Sequence, residues 1–418
     1  MRNLQFTLLG LFLFVSFSSF AQNSLQFFRD NGKQGLNVFE TKKEAGAEFT
    51  GLKVKVGGDF AIQYQGISHE NGFAGDTLLD LTELSKNFNL PTANLNLDVQ
   101  LADGVRLHLR TYLSSKHHEE AWVKGGYLQI DNLDFISEDF LGGVMDVATL
   151  RFGMDEINYG DTHFRRSDNA AAIYNPFIGN YIMDAFTTEP FGEITIQKNG
   201  IIGVVGFSNG RLNQSPLPGD DGIVSYGKLG YDKQLNDDFR LRLTGSWYAS
   251  TDKGTRDYLY GGDRSGSRYY RVLETITGSG SDFEPRLNPR YGHQTAFQIN
   301  PFFKFKGLEF FGVFEVMSNG ADAGGSYTQL GAELLYRIGA KEDVYIGGRY
   351  NSVNGNQVDD SGDLELNRIN IGGGWFMTDN ILLKLEYVSN SWDGVGYDGT
   401  KYQDAKFDGF MLEAVIGF

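Results

Sequence analysis

The sequence has no cysteine, only 8 prolines in 418 residues, and no apolar run of about twenty residues beyond its N-terminal segment. Without cysteine, an exported chain can form neither disulfide bonds nor cysteine-based metal or redox sites. Without a second long apolar run, the rest of the chain cannot cross a membrane as an α-helix. The six histidines are scattered and none belongs to a nucleophile motif, so we predict no catalytic residue, no metal site and no cofactor.

The N-terminal segment, MRNLQFTLLGLFLFVSFSSFAQN, has the plan of a secretory signal peptide. Arg2 is its only charged residue, a short apolar run follows, and small residues lead up to a predicted cleavage after Ala21. A membrane-anchor helix is the alternative, but the apolar run is too short to span a bilayer. We therefore assign 1–21 to a signal peptide and 22–52 to a periplasmic lead-in.

Glycine and aromatic residues, by contrast, are abundant: the chain has 54 glycines, and 14% of its residues are aromatic. The mean hydropathy is nevertheless only −0.31, because apolar and polar residues alternate along many segments. In 93–101, leucine and valine occupy one parity while Asn94, Asn96 and Asp98 occupy the other. A period of two predicts β-strands, and segments of about ten residues have the length of strands that cross an outer membrane at a tilt.

The connections between these segments alternate between tight and long. Tight connections carry hairpin signals such as Asn199-Gly200 and Asp103-Gly104. Long connections are polar and rich in glycine and aspartate, as is typical of the extracellular loops of outer-membrane barrels. The predicted strands lie at about 53–65, 92–101, 104–114, 120–132, 148–157, 190–198, 201–208, 222–233, 239–250, 293–305, 308–318, 326–338, 343–353, 363–377, 381–390 and 404–418.

These strands predict an all-β fold, namely a transmembrane antiparallel β-barrel of about 16 strands over 53–418, with short periplasmic turns and long extracellular loops. Because the number of strands is even, both ends of the barrel are expected on the periplasmic side. The irregular stretch 131–148 and the segment SRYYRVLETI at 268–277 leave fourteen or eighteen strands as alternatives.

The final segment, KFDGFMLEAVIGF, keeps the alternation up to Phe418. Pairing of this strand with the first would close the barrel and remove both sheet edges. A closing strand that ends in phenylalanine also resembles the signal read by the barrel-assembly machinery. The predicted location is the bacterial outer membrane, among its lipid and lipopolysaccharide. A sequence pI of about 4.8 argues against nucleic acid as a partner.

Sixteen strands leave an aqueous lumen, and the polar face of the strands points into it. Rings of arginine and lysine are how pores favour anions. The candidate pore-lining residues for binding such solutes are Arg106, Arg110, Arg151, Arg165, Arg166, Arg240, Arg242 and Arg349. Acidic residues also point inward, among them Asp98, Asp155 and Glu193. A general porin with mixed charges and little selectivity therefore stays open as the alternative.

The connection 158–189 is too long and too apolar in its second half for a loop that only faces solvent. Folding into the lumen would cover its apolar side chains and constrict the pore. Arg165 and Arg166 would then lie near the constriction. The alternative is an outer loop that lies over the mouth of the barrel.

The chain resembles the phosphate-selective porin O/P type family of outer-membrane porins. The stretches that carry the resemblance are NGKQGLNVFETK, GLKVKVGGDFAIQYQG, LRFGMDEINYGDTHFRRSDNAAAIYNPF and DGFMLEAVIGF. The resemblance implies a sixteen-stranded barrel, a homotrimer, inward-folded loops, and a basic pore that binds phosphate or polyphosphate. This sequence departs from that pattern because its lumen face lacks an unbroken stripe of arginine and lysine.

The function expected from these observations is that of a porin for passive diffusion of small hydrophilic solutes, with small anions such as phosphate or polyphosphate as candidate preferred solutes. It is not expected to be an enzyme. Two alternatives from other classes are an outer-membrane barrel enzyme and a structural barrel with a plugged lumen.

Overall fold

The structure is a computed structural model, and it describes 25–44, 46–75, 78–89, 92–114, 121–168, 170–211, 222–251, 259–261, 268–278 and 286–418. The predicted signal peptide, 1–21, lies outside the described residues. Within the described residues no helix is long and apolar enough to span a membrane.

The alternating segments form β-strands, and each of the sixteen predicted spans matches an observed strand to within a few residues. In the described part of the chain the strands are β1 (Lys53–Glu70), β2 (Asn87–Phe88), β3 (Thr92–Ala102), β4 (Val105–Ser114), β5 (Ala121–Ile130), β6 (Ala148–Asp155), β7 (Glu189–Lys198), β8 (Ile201–Ser208), β9 (Val224–Asn236), β10 (Phe239–Ser250), β11 (Gln294–Phe305), β12 (Leu308–Asn319), β13 (Ser326–Ile338), β14 (Val344–Asn356), β15 (Leu364–Thr378), β16 (Ile381–Asp393) and β17 (Lys406–Gly417). The two-residue β2 is an addition that pairs with β1 beside β3.

All sixteen long strands belong to one antiparallel sheet that closes on itself. β1 pairs with β3 on one side and with β17 on the other. In the closing pair Phe60 lies opposite Ile416, and Tyr64 lies opposite Leu412. The predicted transmembrane antiparallel barrel is therefore confirmed, with sixteen membrane-length strands in the described part of the chain rather than fourteen or eighteen.

The pleat of the strands turns apolar side chains outward and polar side chains inward, as β1 illustrates. Val54 and Val56 are 52% and 48% exposed on the outside, whereas Asp59 and Gln63 are 2% and 1% exposed on the inside. Outward apolar and inward polar residues are the arrangement that hydrocarbon outside and a polar lumen inside require. The protein is therefore a barrel of the bacterial outer membrane.

Tight turns lie at one end of the barrel and longer loops at the other. In the turn between β7 and β8, Asn199 and Gly200 have positive φ values of 52° and 89°, which suits a two-residue hairpin turn. The stretch 131–147 is a longer turn at the same end, and it contains a single turn of α-helix, Gly142–Met145. Short 3₁₀ helices occur at Lys33–Gly35, Thr162–Arg165 and Val395–Tyr397.

Among the described residues, three segments outside the strands enter the barrel. The first is 25–44, which we call the N-terminal strap. The second is the β6–β7 loop, 156–188. The third is the described part of the β10–β11 loop, chiefly 259–261 and 268–278. Their buried side chains pack inside the sheet, so the lumen is much narrower than the strand number alone implies.

Candidate solute passage

The β6–β7 loop crosses the lumen and is tied to strands on the far side of the barrel. The Tyr159 hydroxyl donates to Oε1 of Glu315 on β12 at 2.9 Å. The backbone N–H of Ile178 donates to Oε2 of Glu386 on β16 at 2.7 Å. Because these acceptors are side chains of the barrel wall, the loop lies inside the barrel and covers the wall from β10 to β16.

Arg165, at the end of the loop's 3₁₀ turn, is one centre of this attachment. Its Nη2 atom lies 2.8 Å from Oε1 of Glu309 on β12 and 2.5 Å from Oε1 of Glu333 on β13. Arg337 shares Glu309 at 2.9 Å, and Arg349 shares Glu333 at 2.7 Å. Three guanidinium groups and two carboxylates therefore form one buried network, in which predicted pore residues Arg165 and Arg349 are both enclosed.

Asp161 is a second centre of attachment. Its carboxylate accepts from Arg242 Nε on β10 at 2.8 Å, from Lys228 Nζ on β9 at 2.7 Å and from the Thr244 hydroxyl at 2.7 Å. Burial alone would raise the pKa of Asp161, but Arg242 and Lys228 hold it at about 2. Asp161 therefore stays ionised and fixes the predicted pore residue Arg242 against the loop.

The predicted residues Arg166 and Arg240 are paired locally. Arg166 donates to both carboxylate oxygens of Asp184 within the same loop, at 3.0 and 2.6 Å, and also contacts Glu156. Arg240 lies near the β9–β10 turn and forms a two-point contact with Asp232 at 2.8 and 2.6 Å. Neither arginine lines the cavity described next.

A cavity of about 170 Å³ lies along the opposite wall, formed by β3 to β7. The remaining three predicted arginines line it together, each beside a carboxylate. The ion pairs on this wall are Arg106–Asp98 at 2.6 Å, Arg110–Asp155 at 2.8 Å and Arg151–Glu193 at 3.3 Å. Aromatic rings accompany them, since the Arg151 guanidinium lies 4.1 Å from the Tyr127 ring centroid. This cavity is the candidate passage for a solute.

Several polar side-chain atoms on the passage wall form no hydrogen bond. Among the described residues, the buried atoms of this wall without a hydrogen-bond partner include Arg106 Nε, Arg110 Nε, Arg151 Nε, His108 Nε2, Asn96 Oδ1 and Asp155 Oδ2. The set contains donors and acceptors, but each atom is buried, so a solute in the cavity reaches it only if the side chain moves.

His163 of the β6–β7 loop also faces the passage. Burial, together with the neighbouring cations Lys228 and Arg166, holds the pKa of His163 well below its usual range. The imidazole is therefore neutral at physiological pH and adds no charge to the passage.

The β10–β11 loop enters the lumen from the same, extracellular end as the β6–β7 loop. The Tyr260 hydroxyl donates to Glu315 at 2.6 Å, and the Tyr269 hydroxyl donates to Glu386 at 2.5 Å. The segment 268–277 is therefore a packed loop and not an extra barrel hairpin. It contributes only an isolated bridge between Thr275 and the first extracellular loop.

Sequence reasoning missed the N-terminal strap, which was expected to be a periplasmic lead-in. Phe28, Arg29, Phe39 and Glu40 of the strap all line the passage. The Phe39 ring packs edge-on against Phe164 of the β6–β7 loop, with centroids 5.6 Å apart. The sequence signal was present, because three phenylalanines in a short polar segment need cover that a solvated lead-in does not provide.

Solved outer-membrane proteins share this architecture. OmpT of Vibrio cholerae, an outer membrane protein, superposes with a TM-score of 0.52 over 89% of this chain and 99% of its own, at 9% identity. The anion-selective porin of Comamonas acidovorans superposes with a TM-score of 0.52 over 88% of this chain and 100% of its own, at 8% identity. OmpF of Salmonella typhi superposes with a TM-score of 0.51 over 88% of this chain and 98% of its own, at 12% identity. At these identities the likeness establishes the fold alone. No protein-family model and no curated protein matches the sequence.

Proposed function

We propose that this protein is an outer-membrane porin that lets small hydrophilic solutes diffuse passively, and that it is not an enzyme. The observation that carries the proposal is the polar cavity between the β3–β7 wall, the β6–β7 loop and the strap. A passage of this size admits several water molecules or one small solute. Its charged and aromatic lining can exchange contacts with a solute without holding it tightly, which conduction requires.

The charge balance of the lining supports a general porin with weak selectivity. Four arginines and five carboxylates line the cavity. Each arginine on the barrel wall already faces a carboxylate, so an entering anion must compete with a fixed negative charge. Paired charges produce a strong local field across the passage and little net preference for one sign of ion.

A preference for small anions such as phosphate is the finer form of the same proposal. It is supported by the row formed by Arg106, Arg110 and Arg151, which line the cavity together. Guanidinium groups bind phosphate oxygens through charge-assisted hydrogen bonds. A phosphate in the cavity would therefore compete with Asp98, Asp155 and Glu193 for these guanidinium groups.

A plugged structural barrel is the second candidate. The strap and two loops fill much of the lumen, which is the observation that favours it. A plugged barrel would not conduct, whereas the porin would.

The trimeric assembly, the contacts with lipopolysaccharide and the use of the barrel-assembly machinery belong to the same proposal. Their support is the resemblance of the sequence to the porin O/P type and the alternating closing strand β17.

Planar-bilayer conductance of the refolded protein across a KCl gradient tests the proposal. A stable channel with a reversal potential near zero is the expected result for the general porin. Block by added phosphate, together with a reversal potential that shows anion preference, would establish the phosphate form. Absence of any channel would overturn the porin and leave the plugged barrel.

A further inference from the structure

The N-terminal strap runs across the periplasmic mouth of the barrel and is tied to its rim at widely separated points. The strap contacts, in chain order, are Gln26 with Asp103, Asn31 with the Phe418 carbonyl, Lys33 with Asp343, Asn37 with Glu309, Glu40 with Arg242 and Lys43 with Asp131. These partners belong to six different turns or strands around the barrel. Such a path spans the opening and does not lie along one edge of it.

The strap also contacts the β6–β7 loop, on the side of the loop that faces the periplasmic mouth. The Arg29 Nη2 atom donates to the backbone carbonyl of Phe164 at 3.0 Å, and the Arg29 guanidinium lies 3.6 Å from the ring centroid of Tyr174. Both partners belong to the part of the loop that faces the passage. The loop and the strap thus bound the same cavity from two sides.

Glu40 gives the strap an electrostatic role. Its carboxylate accepts from Arg242 Nη1 at 2.7 Å and from Lys228 Nζ at 3.0 Å, with a side chain only 6% exposed. Asp161 of the β6–β7 loop binds the same two cations. The strap therefore supplies one of the two carboxylates that Lys228 and Arg242 share at the edge of the passage.

We propose that the N-terminal strap is a second constriction element, on the periplasmic side, and that Glu40 is a selectivity-determining residue of the passage. The inference rests on the proposed porin function. It assigns part of the pore to residues outside both the barrel and its loops. Removal of the Glu40 charge leaves Lys228 and Arg242 with one shared carboxylate, so the passage becomes more positive there.

A pair of charge-removing variants in the full-length chain tests the selectivity role. Glu40→Gln is expected to raise the anion-to-cation permeability ratio by about twofold to fivefold, the effect of one unit charge a few ångströms from the ion path in an aqueous dielectric. Glu44→Gln is the matched control, because Glu44 lies four residues further along the strap and is exposed. Equal reversal potentials for wild type, Glu40→Gln and Glu44→Gln would overturn the role of Glu40.

Deletion of 25–44 tests the constriction itself. The deletion is expected to increase single-channel conductance, and heat-dependent gel mobility of the barrel reports whether the variant folds. Conductance equal to that of the wild type would overturn the inference while the porin function stands. A silent wild type with a conducting deletion would overturn free diffusion through the intact protein and support the strap as a plug. If neither conducts, both proposals fail. If the deletion does not fold, the Glu40→Gln and Glu44→Gln pair decides.

Discussion

The two halves of the lumen use the same chemistry for different purposes. On the covered half, from β10 to β16, Arg165, Arg242 and Arg349 each meet at least two acceptors and their side chains are at most 2% exposed. On the open half, Arg110 and Arg151 line the cavity with side chains 13% and 20% exposed, whereas Arg106, also in the lining, is only 4% exposed. The difference shows that an inward arginine can be enclosed in a buried ion-pair network or can line the cavity. Which of the two applies depends on the segments that pack over the arginine and not on its position in a strand.

Of the substitutions that test this comparison, Arg165→Ala on the covered half should have the largest effect on stability. The substitution leaves Glu309 and Glu333 buried with fewer cations, so it should lower the free energy of unfolding by about 3–5 kcal/mol. The loosened β6–β7 loop should also increase single-channel conductance. Urea unfolding and bilayer recording provide the two measurements.

Arg271→Ala is the control for this substitution. Arg271 is also an ion-paired loop arginine, but its side chain is 50% exposed. An exposed pair of this kind contributes about 0–1 kcal/mol. Similar losses of stability for Arg165→Ala and Arg271→Ala would contradict the division into covered and open arginines.

A smaller effect is expected from pH, through the neutral His163. An unfolded histidine titrates near about 6.5, and below that pH the unfolded chain binds a proton that the folded protein does not. The lowered pKa in the folded state therefore makes stability decrease as the pH falls. The loss should be about 1.4 kcal/mol per pH unit below about 6.5, until the folded pKa is reached.

His163→Gln should remove that part of the slope. Unfolding free energies of wild type and variant, measured by urea titration at several pH values from 7.5 to 5.5, provide the comparison. Parallel pH profiles would show that His163 is not held neutral by burial beside Lys228 and Arg166.

The smallest change in stability, and the sharpest test of the open half, is expected for Arg151→Gln. Glu193 is only 1% exposed, but it keeps its hydrogen bonds from the Asn158 N–H and the Tyr226 hydroxyl, so the loss of stability should be about 1 kcal/mol. The reversal potential should nevertheless move toward cations, because Glu193 would face the passage without its partner.

Arg240→Gln is the matched control, since Arg240 is a lumen arginine with a 26% exposed side chain, paired with Asp232 and away from the cavity. Its reversal potential should equal that of the wild type. Equal shifts in Arg151→Gln and Arg240→Gln would mean that the β3–β7 wall is not the ion path.

The strands could be predicted from sequence because a period of two is a local property, written within each ten-residue segment. Inward orientation of Arg106 or Arg349 follows from the same parity. The segments that cover each arginine cannot be predicted from parity, because they come from distant parts of the sequence. Arg165, for example, pairs with Glu333, which is 168 residues away. The packing of the strap inside the barrel mouth could not be predicted for a related reason. The strap follows the curved rim with irregular contacts, so its sequence has no periodic pattern.

The hydrogen bond from Asn31 Nδ2 to the Phe418 carbonyl, at 2.8 Å, links the strap to the closure of the barrel. The same carbonyl accepts from the Gly58 N–H at 3.0 Å, across the seam where β17 meets β1. One carbonyl therefore joins the strap to the seam, so a change that opens the pairing of β17 with β1 should also release the strap at Asn31.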